Sequence, residues 1–126
     1  DPELAHVGMG ETAAREAGKD VRVLRWPYAE NDRAQAERET TGLIKVVTDR
    51  KGRILGASIV GAQAGELIQI WGFAIANRMK IGALTSLVSP YPTLGEISKR
   101  AAINFYRPSL ANPWLQRVIA FVRRFG

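Results

Sequence analysis

Leu43-Ile44-Lys45-Val46-Val47-Thr48, Asp49-Arg50-Lys51-Gly52, then Arg53-Ile54-Leu55-Gly56-Ala57-Ser58-Ile59-Val60-Gly61 is the stretch that decides the fold. The two flanking runs are apolar and rich in β-branched residues, which suits a pleated, half-buried surface. Between them, four residues that end on glycine close a tight turn. Two such runs around a short turn predict an antiparallel hairpin.

Working upstream, Val21-Arg22-Val23-Leu24-Arg25-Trp26 alternates apolar and basic residues. It predicts a strand with one wet face, ended by Pro27. Glu11 to Ala17 holds good helix formers and stops at Gly18, a residue suited to the left-handed position after a helix. Asn31 to Glu39 is highly charged and predicts a turn or short helix under an Asn or Asp cap. The opening residues Glu3 to Gly10 are too short and mixed to assign. Downstream, Leu67, Ile68, Trp71, Ala74, Ile75 and Met79 form one apolar stripe at helical period, so a single helix is predicted over Ala64 to Met79. Gly72 within it weakens the helix but suits the close approach of another backbone. Thr93-Leu94-Gly95-Glu96 has the Thr-x-x-Glu form of a capping box, which places a last helix from Thr93 to about Phe105. The expected architecture is α+β, an antiparallel sheet with helices packed on one face.

The chain is one domain in size, 126 residues with 46% hydrophobic content, long enough to bury a core without staples. It contains no cysteine, which excludes a disulfide framework, a thiolate metal site and thiol redox chemistry carried by this chain alone. That absence fits a cytoplasmic protein. The N-terminal residues lack the basic and apolar regions of a secretory signal, and no run reaches the ~20 apolar residues of a membrane span. Of the net charge of +6, Arg107, Arg117, Arg123 and Arg124 supply +4 within the last 20 residues. The folded body is then close to neutral. Nucleic-acid binding needs a basic stripe over the body, so it is not expected.

Four ordered stretches carry a resemblance. Asp1-Pro2-Glu3-Leu4-Ala5-His6-Val7-Gly8 is similar to the opening of the dimerisation domain in the dihydrolipoamide dehydrogenase, glutathione reductase and mercuric reductase family. Asn31-Asp32-Arg33-Ala34 resembles that family's Asn-x-Arg-Ala element. The hairpin, continued by Val60-Gly61 and Ala64-Gly65-Glu66-Leu67-Ile68, is the most specific match. Pro90-Tyr91-Pro92-Thr93-Leu94-Gly95-Glu96 resembles the closing His-Pro-Thr-x-x-Glu motif. The resemblance spans Asp1 to about Tyr106, so 1–106 reads as a dimerisation domain and 107–126 as an added basic helix. It implies an FAD-dependent pyridine nucleotide-disulfide oxidoreductase whose FAD and NAD(P)H domains, and redox disulfide, precede Asp1. The residues agree: no Gly-x-Gly-x-x-Gly follows a strand, so this chain alone is expected to bind no cofactor tightly and to be inactive.

The resemblance also supplies site candidates. In the family, a histidine at the position of Tyr91 and a glutamate at that of Glu96 form a dyad that reaches towards the partner's disulfide and flavin. Imidazole titrates near neutrality and can take a thiol proton, whereas a phenol with a pKa near about 10 is a poor base at pH 7. Two readings follow. The intact enzyme passes electrons from NAD(P)H through FAD to another acceptor, as in soluble pyridine nucleotide transhydrogenases, which are similar in having a tyrosine before Pro-Thr. In the other, Tyr91 keeps an acid role in an unusual disulfide reductase. A simpler reading covers both: Pro90-Tyr91-Pro92 is a packed turn with a candidate cis X-Pro bond, and Glu96 is a capping-box glutamate. The interface candidates for a homodimer are Glu66, Trp71, Pro92 and Thr93, although a core helix is the plainer use of Trp71. His6, the only histidine, is assigned no role. Glu30, Asp32, Glu37 and Glu39 read as solvated surface charges.

In the tail, Asn112-Pro113 is a good helix start. Trp114, Leu115, Val118, Ile119, Val122 and Phe125 then share one side, with Arg117, Arg123 and Arg124 opposite and Phe121 at the boundary. Such a helix suits peripheral binding to the inner face of a membrane, or packing on the domain or its dimer mate. The alternative function is accordingly a free-standing binding module whose tail recruits a membrane surface or an acidic partner. An independent small enzyme built on Tyr91 and Glu96 lacks an accompanying nucleophile or cofactor site.

Overall fold

The computed structural model describes residues 3–110, with side chains up to residue 107. Strand β1 (Glu3–Gly8) is followed by helix α1 (Glu11–Glu16), strand β2 (Val21–Pro27), helix α2 (Asp32–Glu37) and the hairpin strands β3 (Leu43–Asp49) and β4 (Ile54–Gly61). Helices α3 (Ala64–Leu67), α4 (Gln69–Ala76), α5 (Ile81–Thr85) and α6 (Glu96–Ile103) complete the body, before a 3-10 segment over Asn104–Leu110. The sheet is antiparallel throughout, in the order β1-β4-β3-β2. The fold is α+β, as the sequence led us to expect.

The hairpin forms because its turn is over-determined. The Asp49 carboxylate accepts from the amides of Lys51 (2.9 Å) and Arg53 (2.8 Å), and Gly52 sits at φ +90°. A carboxylate that accepts two local N–H groups in this way mimics a backbone turn. β1 is the element that the sequence did not resolve. It pairs with β4 from Glu3↔Gly61 to Gly8↔Gly56, so its partner lies some fifty residues away and leaves no local signature.

Pleating sends alternate side chains to opposite faces. Leu24, Ile44, Val46, Ala57 and Ile59 meet Trp71, Ile81, Leu84 and Ile97 in the main core, to which α2–α6 all contribute. The opposite face carries a smaller cluster in which Ala14 of α1 covers Val21, Val47 and Leu55. A Glu11–Lys45 ion pair at 2.9 Å ties α1 to β3 there. Thus α1 is the helix that departs from the one-face arrangement.

Two helical expectations need correction. The helix predicted over Ala64 to Met79 is divided at Ile68 and ends at Ala76. Its end is a Schellman arrangement: Arg78 is left-handed at φ +53°, Met79 N–H donates to Ala74 O and Arg78 N–H to Ile75 O. Glycine usually marks that position, as Gly18 does after α1 at φ +79°. With arginine there instead, the apolar period ran on unbroken. Gly72 also needs no close backbone neighbour within the chain, since an added Cβ would meet only Val7 Cγ1, at 3.7 Å.

The second correction concerns the capping box. Helix α6 starts at Glu96 with Gly95 as its cap and no side-chain cap bond. The Thr93 hydroxyl donates to Pro90 O (2.7 Å), and the cap position falls two residues later, on Gly95. Asn31 is the residue that caps with its side chain, accepting from Ala34 N–H at 2.8 Å.

Candidate functional site

Helix α6 is pinned before it reaches its N-terminal corner. Trp71 is fully buried and its indole N–H donates to Ser98 Oγ at 2.9 Å, so a buried donor and a buried hydroxyl satisfy each other. This fixes α6 against α4. It also takes Trp71 off the surface: as an interface candidate it lies in the core, and Phe73, 64% exposed, is the large apolar side chain that α4 presents outward. Glu66 and Pro92 are exposed and Thr93 is half-buried.

At the corner, the Tyr91-Pro92 peptide is cis and Tyr91 is 68% exposed. Tyr91 and Glu96 line one hollow of about 170 Å³, together with Trp26, Asp32 and Arg100. The structure therefore brings the two dyad candidates to one place. The phenol hydroxyl, however, donates to Asp32 Oδ2 at 2.6 Å. By accepting that bond, and then by its charge, the Asp32 carboxylate holds Tyr91 above the ordinary phenol pKa, with Glu96 adding a smaller push. At neutral pH the phenol stays protonated with its proton directed at Asp32. Asp32 is thus more than a solvated charge, and Glu37 likewise pairs with Arg33.

The signal that could have found Asp32 is its place as the variable residue in Asn31-Asp32-Arg33-Ala34, but nothing local connects it to a turn 59 residues away. A second hollow of about 250 Å³ is lined by Arg33, Glu37, Gln63, Leu67 and Thr93, among others. His6 has a structural place on the open sheet face. Its Nε2–H donates to Gly8 O (2.8 Å), which can only accept, and Nδ1 pairs with the Ser58 hydroxyl (2.7 Å). The tail candidates Trp114, Arg117, Phe121, Arg123 and Arg124 lie outside the described residues. Among the described residues no group of histidines, cysteines and acids could hold a metal ion, and no helix is long and apolar enough to cross a membrane.

Comparison with known proteins places this geometry. The family described as "Pyridine nucleotide-disulphide oxidoreductase, dimerisation domain" matches residues 1–102. The dihydrolipoyl dehydrogenase of Rhizobium etli is 40% identical over 109 residues, which is 84% of this chain and 22% of that protein. That of Bacillus subtilis is 39% identical over 103 residues, 81% of this chain and 22% of the relative. The chain thus spans about a fifth of the length of the curated relatives it matches. Among solved structures, the copper(II) complex of the HOCl-induced flavoprotein disulfide reductase RclA from Escherichia coli aligns with TM-score 0.78 and 31% identity, over 82% of this chain and 24% of that one. LpdA of Mycobacterium tuberculosis aligns with TM-score 0.76 and 28% identity, over 82% of this chain and 23% of that one.

Proposed function

The chain belongs to the pyridine nucleotide-disulphide oxidoreductase dimerisation family, and from that premise we propose that it is the homodimerisation module of an FAD-dependent NAD(P)H oxidoreductase. The family match over residues 1–102 carries the reading. The cofactors belong to other parts of such an enzyme. Neither hollow, at about 250 and 170 Å³, reaches the roughly 300–1,000 Å³ of a ligand pocket. On this reading FAD and NAD(P)H are held by those other parts, and the chain by itself is inactive.

What this module lends to the site is Tyr91, at the position of the family's histidine, with Glu96 beside it. A protonated phenol facing a carboxylate cannot act as a base at pH 7, so the intact enzyme does not rely on a general base here. It passes electrons to an acceptor other than a histidine-assisted dithiol. The dimer surface takes in Phe73, the exposed apolar side chain of α4, together with Glu66, Pro92 and Thr93. The basic, apolar-patterned segment 112–126 adds weak peripheral binding to the inner face of a membrane, and the enzyme is cytoplasmic.

Light scattering on the chain at micromolar concentration tests the reading. A dimer without flavin absorbance is the expected result, with Phe73→Glu shifting it towards monomer. A strict monomer overturns the dimerisation reading. Sedimentation with anionic vesicles, comparing the full chain with one ending at Tyr106, tests the tail; equal, negligible binding removes the membrane role.

A further inference from the structure

Three consecutive side chains at the start of α2 reach the same turn. Asn31 Nδ2 donates to Thr93 O at 3.0 Å, Asp32 Oδ2 accepts from the Tyr91 hydroxyl at 2.6 Å, and Arg33 Nη1 donates to Pro92 O at 3.4 Å. Residues 31, 32 and 33 thus hold residues 93, 91 and 92. Of the three, Asn31 is 3% exposed and does two jobs with one amide group: its oxygen caps α2 and its nitrogen holds the turn. The same side chain therefore fixes where α2 begins and where Tyr91 stands. We propose that Asn31-Asp32-Arg33 is a clasp for the 91–93 turn, in which Asp32, not Glu96, is the positioning residue of the Tyr91 phenol.

The argument is one of donor and acceptor capacity. A phenol carries a single proton, and here it is directed at Asp32. The oxygen keeps its power to accept, and beside it lies a carboxylate that only accepts. The corner thus presents a phenol–carboxylate pair that receives a hydrogen-bond donor, such as an amide N–H, a guanidinium or an ammonium. It does not deliver a proton. This deepens the proposed role of Tyr91 by naming the class of group it meets, and it rests on that reading only for the identity of the enzyme; the clasp itself stands on the geometry of this chain.

NMR of the full chain carrying 13Cζ-labelled tyrosine tests the assignment, with Tyr91 identified by its loss in Tyr91→Phe. Asp32→Asn keeps the shape of the side chain and removes its charge, so the Tyr91 titration midpoint should move down towards the ordinary phenol value of about 10. Glu96→Gln should move it less. Asn31→Ser keeps a capping oxygen but removes the amide donor. It should lower the 15N heteronuclear NOE at Tyr91 and Thr93 while leaving the α2 resonances in place. An unmoved midpoint in Asp32→Asn, or a larger move in Glu96→Gln, overturns the assignment, and an unchanged NOE in Asn31→Ser overturns the clasp. These measurements read the chain whether or not it dimerises. A failed clasp in a dimer and an intact clasp in a monomer are therefore distinguishable results.

Discussion

Tyr28 and Tyr91 are the same side chain held at opposite ends of the exposure scale, and both have their phenol pKa raised. Tyr28 follows β2 and is fully buried; its hydroxyl donates to Ala62 O at 2.7 Å and its ring lies against Gly61. Burial first, then the charge of Glu3, pushes it up to about 12. Tyr91 is 68% exposed, and the hydrogen bond to Asp32 is the first cause of its shift. One phenol is a core strut whose proton water cannot reach. The other is displayed on a turn with its proton spoken for. Shifts in the same direction can therefore mean opposite things, and the partner atom shows which.

The contrast breaks most readily at Gly61. An alanine Cβ there would fall 2.5 Å from Cζ of the Tyr28 ring, at φ +146°, a backbone angle that side chains rarely adopt. Neither the ring nor the strand can yield cheaply, so Gly61→Ala should cost roughly 3 kcal/mol in denaturant unfolding. An undiminished midpoint would mean that Tyr28 is less confined than its burial indicates.

Removing only the hydroxyl is gentler. Tyr28→Phe leaves the Ala62 carbonyl without its donor, a loss of about 1–2 kcal/mol by the same measurement. Alkaline pH probes that group from the other side. The folded value near 12 stands above the unfolded phenol value near about 10, so the native state keeps a proton that the unfolded state releases. The Tyr28 contribution is therefore complete below pH ~10. It falls as pH rises towards 12, by up to about 1.4 kcal/mol per pH unit. Comparing unfolding of the parent chain and Tyr28→Phe across this window isolates it: the two curves should converge as pH rises, and parallel curves would assign the shift elsewhere. The smallest effect belongs to Tyr91→Phe. It deletes an exposed hydrogen bond and should change stability by no more than about 0.5 kcal/mol. A larger loss would make Tyr91 a strut like Tyr28.

Several pieces of this were legible in the residues. The hairpin could be read because its signals are local: β-branched runs, a turn acid at Asp49 and a glycine at Gly52. Gly18 marked the end of α1 for the same reason, and Asn31 was among the cap candidates. Each departure has its own physical reason. The apolar period carries through Met79 because Arg78 occupies a left-handed position without glycine to announce it. Thr93 looked like a cap because Thr-x-x-Glu is a pattern of spacing, whereas the hydroxyl went to Pro90 O. Trp71 served two readings, core and interface, until its complete burial and its bond to Ser98 removed it from the surface.

The sequence by itself determined the class of fold, the hairpin at its centre and the ordered motifs of the family, because each depends on residues close together along the chain. Only the tertiary structure decided which carboxylate Tyr91 meets. Asp32 and Glu96 are both acids near family motifs, and nothing in their spacing chooses between them. The choice came from Asn31, whose single amide group caps one element and holds another, so that Asp32 stands within 2.6 Å of a hydroxyl 59 residues away. A contact of that kind exists only once the chain has closed on itself.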